Sequence, residues 1–183
     1  MINILKTNKW IELRELVDEK KGINGYVYSH EKSCDGKKIV ILPYRNQKGK
    51  FEILLRDELT PCWDLNKKII SSLTGSVEKN NSPLETAIIE LKEEAGYSIT
   101  KEDIVELGEM FGIKSSDTVY YLFTVDLTNK EKGKATTDGS KLEKEAKCFW
   151  TDNFLKAQDP FVYAALIKML KHFKQTNLDF KLI

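Results

Sequence analysis

Residues 75–97 read GSVEKNNSPLETAIIELKEEAGY, and this stretch carries its own helix signals. Ser82 is a good N-cap, Pro83 suits the first helical position, and Glu85 three residues after the cap completes a capping box. Gly96 supplies the stop. At about 100° per residue, Leu84, Ala87, Ile88, Leu91 and Ala95 form the apolar stripe that faces a core. Glu90, Glu93 and Glu94 fall on one arc beside it, because spacings of three and four residues share a helix face. Three carboxylates there repel one another, and they sit in the C-terminal half, where the macrodipole disfavours negative charge. A cation offsets both penalties, and a hard divalent ion with oxygen ligands is the natural candidate. Taken alone, an E-x-x-E-E helix also suits a solvated acidic face. The Gly75 loop ahead of a capped helix is what favours the ion.

The same stretch resembles the signature of the Nudix hydrolases, G-x5-E-x7-R-E-U-x-E-E-x-G-U, where U is a bulky apolar residue. Gly75 matches the opening glycine, and Glu90-Leu91-Lys92-Glu93-Glu94-Ala95-Gly96-Tyr97 matches the closing run, with no gap over the 23 residues. Two positions depart: Asn81 stands where the family has its first glutamate, and Ile89 where it has an arginine. The resemblance implies a Nudix fold, an α/β architecture with a mixed β-sheet sandwiched between α-helices, here with a short N-terminal β extension. It implies that Glu90, Glu93 and Glu94 hold Mg²⁺, or Mn²⁺ in its place, and that a backbone carbonyl at Thr74 or Gly75 adds an oxygen. It also makes Glu90 and Glu93 catalytic candidates. The family's arginine and first glutamate help hold the metal-binding carboxylates, so Ile89 and Asn81 thin that support. Such losses weaken metal sites by roughly one to two orders of magnitude.

Composition fits one soluble globular domain over residues 1–183, with 41% hydrophobic and 31% charged residues. A formal net charge of +1 gives no broad electrostatic case for nucleic acid or an anionic membrane as partner. The first residues lack the apolar core of a signal peptide, and no later apolar run reaches membrane-spanning length. Cys34, Cys62 and Cys148 are odd in number and widely spaced, as unpaired thiols of a reducing compartment are, so a cytoplasmic setting is expected. His30 and His172 are too few and too distant for a zinc centre or a histidine-based triad.

Strands are expected at 23–30, 38–43, 51–57 and 68–74 ahead of the helix, then at 104–113, 118–127 and 146–151 after it. Segment 129–145 is polar and nearly free of large apolar residues, which predicts a mobile loop. Asp159 caps a last helix with Pro160 at its first position, running to about residue 174. This order is similar to that of the ADP-ribose pyrophosphatase branch of the family, whose N-terminal extension, here residues 1–36, packs against a partner subunit. The resemblance therefore implies a homodimer. The substrate it implies is a nucleoside diphosphate joined to another group, with ADP-ribose or a nucleotide sugar first.

Arg56 matches an arginine that the branch carries in the corresponding strand, which makes it a candidate for substrate contact. Trp63, near a loop where adenine could stack, is another. The branch takes its base from a glutamate in the loop before the last core strand. Glu143 and Glu145 stand at that place, within a charge run that also suits plain solvation. Two other functions stay open: hydrolysis of nucleoside triphosphates or dinucleoside polyphosphates, and a non-catalytic nucleotide-binding regulatory module.

Overall fold

Strand β4 (Lys37–Gln47) is the axis of the fold. A computed structural model, which describes residues 1–136 and 144–175, buries its Ile39, Val40, Ile41 and Leu42 completely. Side chains alternate along a strand, so such a run needs cover on both faces. Ile39 and Ile41 pack with Ala87, Leu91 and Ala95 of the glutamate-bearing helix, whereas Val40 and Leu42 pack with Val162, Ala165, Leu166 and Met169 of the last helix. These helices are α1 (Pro83–Glu90) and α2 (Pro160–Gln175), one on each face. The expected α/β/α sandwich is what the chain forms. Its cover is energetically real: removing most of the Leu91 side chain from so closed a site costs about 2–5 kcal/mol.

The main sheet runs β10-β5-β4-β9-β8, where β5 is Lys50–Glu58, β8 is Ile104–Phe111, β9 is Val119–Asp126 and β10 is Lys147–Thr151. Its β4–β9 pair is parallel and its other pairs are antiparallel, so the sheet is mixed. Strands β4 and β5 pair only near their hairpin, Tyr44–Gln47 against Lys50–Ile53. Beyond that they part. β7 (Leu73–Ser76) takes the edge of β4, and β6 (Ile69–Ser71) takes that of β5. The expected single strand at 68–74 is thus two short strands, broken at Ser72. There Asp159, the cap of α2, accepts from both the Ser72 backbone N–H and its hydroxyl. This split in the sheet is what positions the site.

Two further features depart from the expectations drawn from the sequence, and the expected N-terminal β extension is present in a fuller form. The helix ends as a wider π turn over Leu91–Ala95 rather than as a regular α-helix. Residues 1–36 contain a full three-stranded antiparallel sheet, β1 (Ile2–Thr7), β2 (Ile11–Asp18) and β3 (Ile23–Glu31). Its last strand hangs on the β8–β9 turn, with Ser29 N donating to Ser115 O at 2.8 Å and His30 Nδ1 2.9 Å from Asp117 Oδ2. Finally, the early part of the expected mobile loop is tethered. Gly133 N donates to Gly96 O at 2.8 Å, and Thr136 N donates to Glu93 O at 2.9 Å.

The capping box forms as expected, with Glu85 N donating to Ser82 Oγ at 3.2 Å and Ser82 N donating to Glu85 Oε2 at 2.9 Å. Hydrogen bonds from Ser82, its backbone N–H first, hold the Glu85 carboxyl at about 2 instead of 4.5. A carboxyl lowered on folding contributes stability that is complete above pH 4.5 and is lost as pH falls toward 2. Glu85→Gln is therefore expected to flatten the pH dependence of the thermal midpoint across that acid window. An unchanged slope in the variant would show that the box is not formed in solution.

Candidate active site

The split between β4 and β5 brings two strand positions beneath the end of α1. One is Gly75 on β7. A Cβ added there would lie 2.5 Å from both Cγ and Cδ of Glu90, so the glycine leaves room for that side chain to cross the strand. The other is Arg56 on β5, which faces Ser71 of β6 on one side and Cys148 of β10 on the other. Arg56 is only 5% exposed. Its Nη1 meets Oε1 of Glu94, and its Nε lies 3.4 Å from Oε2 of Glu58, whose other oxygen, Oε1, accepts from the Ser71 hydroxyl at 2.8 Å.

Glu94 is a carboxylate taken largely out of water. Its side chain keeps 10% exposure, and its second oxygen, Oε2, is buried with no hydrogen-bond partner. Native interiors rarely leave such an acceptor unanswered. Glu93 is half-buried on the same π turn, its carbonyl accepting from Thr136. Cys148 closes the wall, its Sγ 3.5 Å from the Glu94 carbonyl, and burial pushes its thiol above the ordinary range. A π turn is a frequent device at functional sites, since it re-aims the side chains it carries.

Among the described residues, no three His, Cys, Asp or Glu side chains already converge as a metal-holding group. Glu94 is turned instead to Arg56. The donor set is still that of a hard cation: carboxylate oxygens, one of them buried and unanswered. In kind, the residues fit Mg²⁺ or Mn²⁺.

The remaining sequence candidates fall at varied distances from this turn. Thr74 is half-buried on β7, paired in register with Val40. Glu145 is exposed ahead of β10, its carbonyl accepting from Lys68 Nζ at 2.5 Å. Glu143 lies outside the described residues. Trp63 is 54% exposed in the turn region between β5 and β6. Ile89 is 41% exposed, off the packed face as its angular position required. Asn81 borders a cleft of about 420 Å³ at the opposite end of α1, together with Lys32, Lys37 and Lys79.

The partner of Arg56 on its own strand, Glu58, is not among the residues the sequence singles out. The signal was there, since residues two apart on a strand share a face. Thr136 had no such signal, because its role depends on a loop folding back onto the helix end.

No protein-family model matches the sequence, and no curated protein does. Among solved structures, one described as an ADP compounds hydrolase superposes with a TM-score of 0.70 over 98% of this chain and 95% of its own, at 12% sequence identity. That likeness is one of fold.

The two signature glycines are expected to fail differently. Gly96 has φ +79°, and a Cβ there would lie 2.6 Å from the Gly133 carbonyl oxygen, which is backbone and cannot swing aside. Gly96→Ala should cost about 1–3 kcal/mol, or roughly 2–10 °C in thermal midpoint for a chain this size. Gly75→Ala meets only the flexible end of Glu90, so it should lower the midpoint less while displacing that carboxylate. Thermal unfolding of both variants checks the order, and a larger loss for Gly75→Ala would contradict the contact.

Proposed function

We propose that the chain is a Nudix pyrophosphohydrolase, active on a nucleoside diphosphate linked to a second group, with ADP-ribose or a nucleotide sugar favoured. The observation that carries this reading is the helix end, Glu90 of α1 and Glu93 and Glu94 of the π turn, set against Gly75 and Arg56, where one buried Glu94 oxygen has no partner. The sequence frame from Gly75 to Tyr97 and the likeness to a hydrolase fold support it.

In this reading Glu90, Glu93 and Glu94 hold a divalent cation, with a carbonyl at Thr74 or Gly75 as a further oxygen. When bound, Mg²⁺ supplies Lewis-acid neutralisation of the diphosphate and lowers the pKa of the attacking water. The protein's own work is to orient and to take a proton. Glu145, or Glu143, accepts it from water as the oxygen adds to phosphorus and the bridging P–O bond breaks. The products are a nucleoside monophosphate and a phosphorylated remainder. The exposed Trp63 indole is the platform for the base. Exposed apolar residues on the N-terminal sheet and its β1–β2 turn, among them Ile2, Ile4, Trp10, Tyr26 and Val27, suit burial against a second copy. The enzyme is thus read as a cytoplasmic homodimer.

A second reading, a nucleotide-binding regulatory module without turnover, has its own observation. Glu94 is engaged by Arg56, and the three carboxylates do not yet converge. A panel of ADP-ribose, nucleotide sugars, dinucleoside polyphosphates and nucleoside triphosphates, each with Mg²⁺ or Mn²⁺, separates the two by phosphate release after phosphatase coupling. Turnover best on a diphosphate-linked compound is expected. Tight binding of one member with turnover of none would leave the regulatory module standing.

Glu93→Gln and Glu94→Gln should each cut that turnover by roughly 100-fold or more, since even outer supports of a metal site count for 10–100-fold. Near-normal rates in both would remove the metal assignment. Sedimentation at micromolar concentration should give twice the mass of 21.1 kDa, and a clean monomer would contradict the dimer.

A further inference from the structure

The end of α1 gathers negative charge without a buried cation of its own. Glu90, Glu93 and Glu94 lie where the helix dipole is already negative, Lys92 is exposed, and position 89 carries Ile89. The charge that answers them comes from across the sheet. Arg56 engages Glu94 through Nη1 and approaches Glu58 through Nε, so its planar fork bridges a helix and a strand. Its backbone is fixed on both sides by β6 and β10, and Glu58 is steadied by Ser71. Only one Glu94 oxygen is used in this arrangement, and the other is buried and unpartnered.

We infer that Arg56 is a positioning residue: it grips Glu94 by Oε1 so that Oε2 is held ready for the cation. It thereby supplies from β5 the support that Ile89 does not supply from the helix. This rests on the hydrolase reading of the site and replaces a direct substrate contact for Arg56, which is buried against two carboxylates.

The sign of one measurement separates this from simple electrostatics. Removing a positive charge beside a cation site should by charge alone tighten cation binding. Loss of a positioning residue should weaken it. Mn²⁺ binding to the intact protein, without substrate, is read by electron paramagnetic resonance of the free ion. Arg56→Gln is expected to weaken binding by about 10–100-fold. Arg56→Lys should recover part of that loss, and it keeps the charge should the glutamine variant fail to fold. Arg45→Gln is the control, because Arg45 is paired with Glu52 and stacked on Trp150, away from Glu94.

Unchanged or tighter Mn²⁺ binding in a folded Arg56→Gln overturns the inference. So does binding in Arg56→Lys equal to wild type when the glutamine variant does not fold, or an equal loss in Arg45→Gln. Normal Mn²⁺ affinity in wild type together with any of these results sinks the Arg56 role alone. Failure of the wild-type protein to bind Mn²⁺ sinks the metal reading as well.

Discussion

The buried ion pair between Arg56 and Glu94 is the contact on which the site depends. A carboxylate withdrawn from water is tolerable only with a partner of good geometry, and removing one member of such a pair is strongly destabilising, by about 3–5 kcal/mol. That constraint reaches outward. It needs β5 to end beneath α1, which needs β4 and β5 to part, which is achieved by β6 and β7 entering between them. It also needs the helix to end so that Glu94 turns down toward the sheet, and the π turn with Gly96 does this.

The same turn violates ordinary helix design. Three like charges at a helix C-terminus and a buried acceptor without a partner both reduce stability. Local rules broken together in one place are what a functional site is expected to show, and the neighbouring elements are well made. The centre of strand β4, Ile39 to Leu42, is packed on both faces, and the capping box closes. The concentration of penalties on Glu90, Glu93 and Glu94 is therefore the strongest physical case for a bound cation there.

Much of this was legible in the sequence, for reasons that are local. The Ser82–Pro83–Glu85 cap and the Ala87, Leu91 and Ala95 stripe depend on spacings within one helix, and both form as expected. The apolar run of β4 and the Asp159–Pro160 helix start were equally plain. What escaped depends on contacts between distant segments. Arg56 is singled out by the resemblance alone, and its pairing with Glu94, thirty-eight positions on, is a contact that no local spacing announces. The break at Ser72 follows from the Asp159 carboxylate, and the tethering of Gly133 and Thr136 follows from the helix end they meet. Strands β1 and β2 were hidden by their exposure, since Ile4, Ile11 and Leu13 are apolar but stand largely exposed instead of packing in the core.

The central claim is that Glu90, Glu93 and Glu94 form a divalent-cation site in which Glu94 keeps one oxygen free. Anomalous diffraction from crystals grown with Mn²⁺ addresses it directly. The expected result is an anomalous peak bonded to Glu94 and to at least one of Glu90 and Glu93, with Arg56 still on the other Glu94 oxygen. A saturated crystal with no peak at this turn, or with its only peak elsewhere, would contradict the claim.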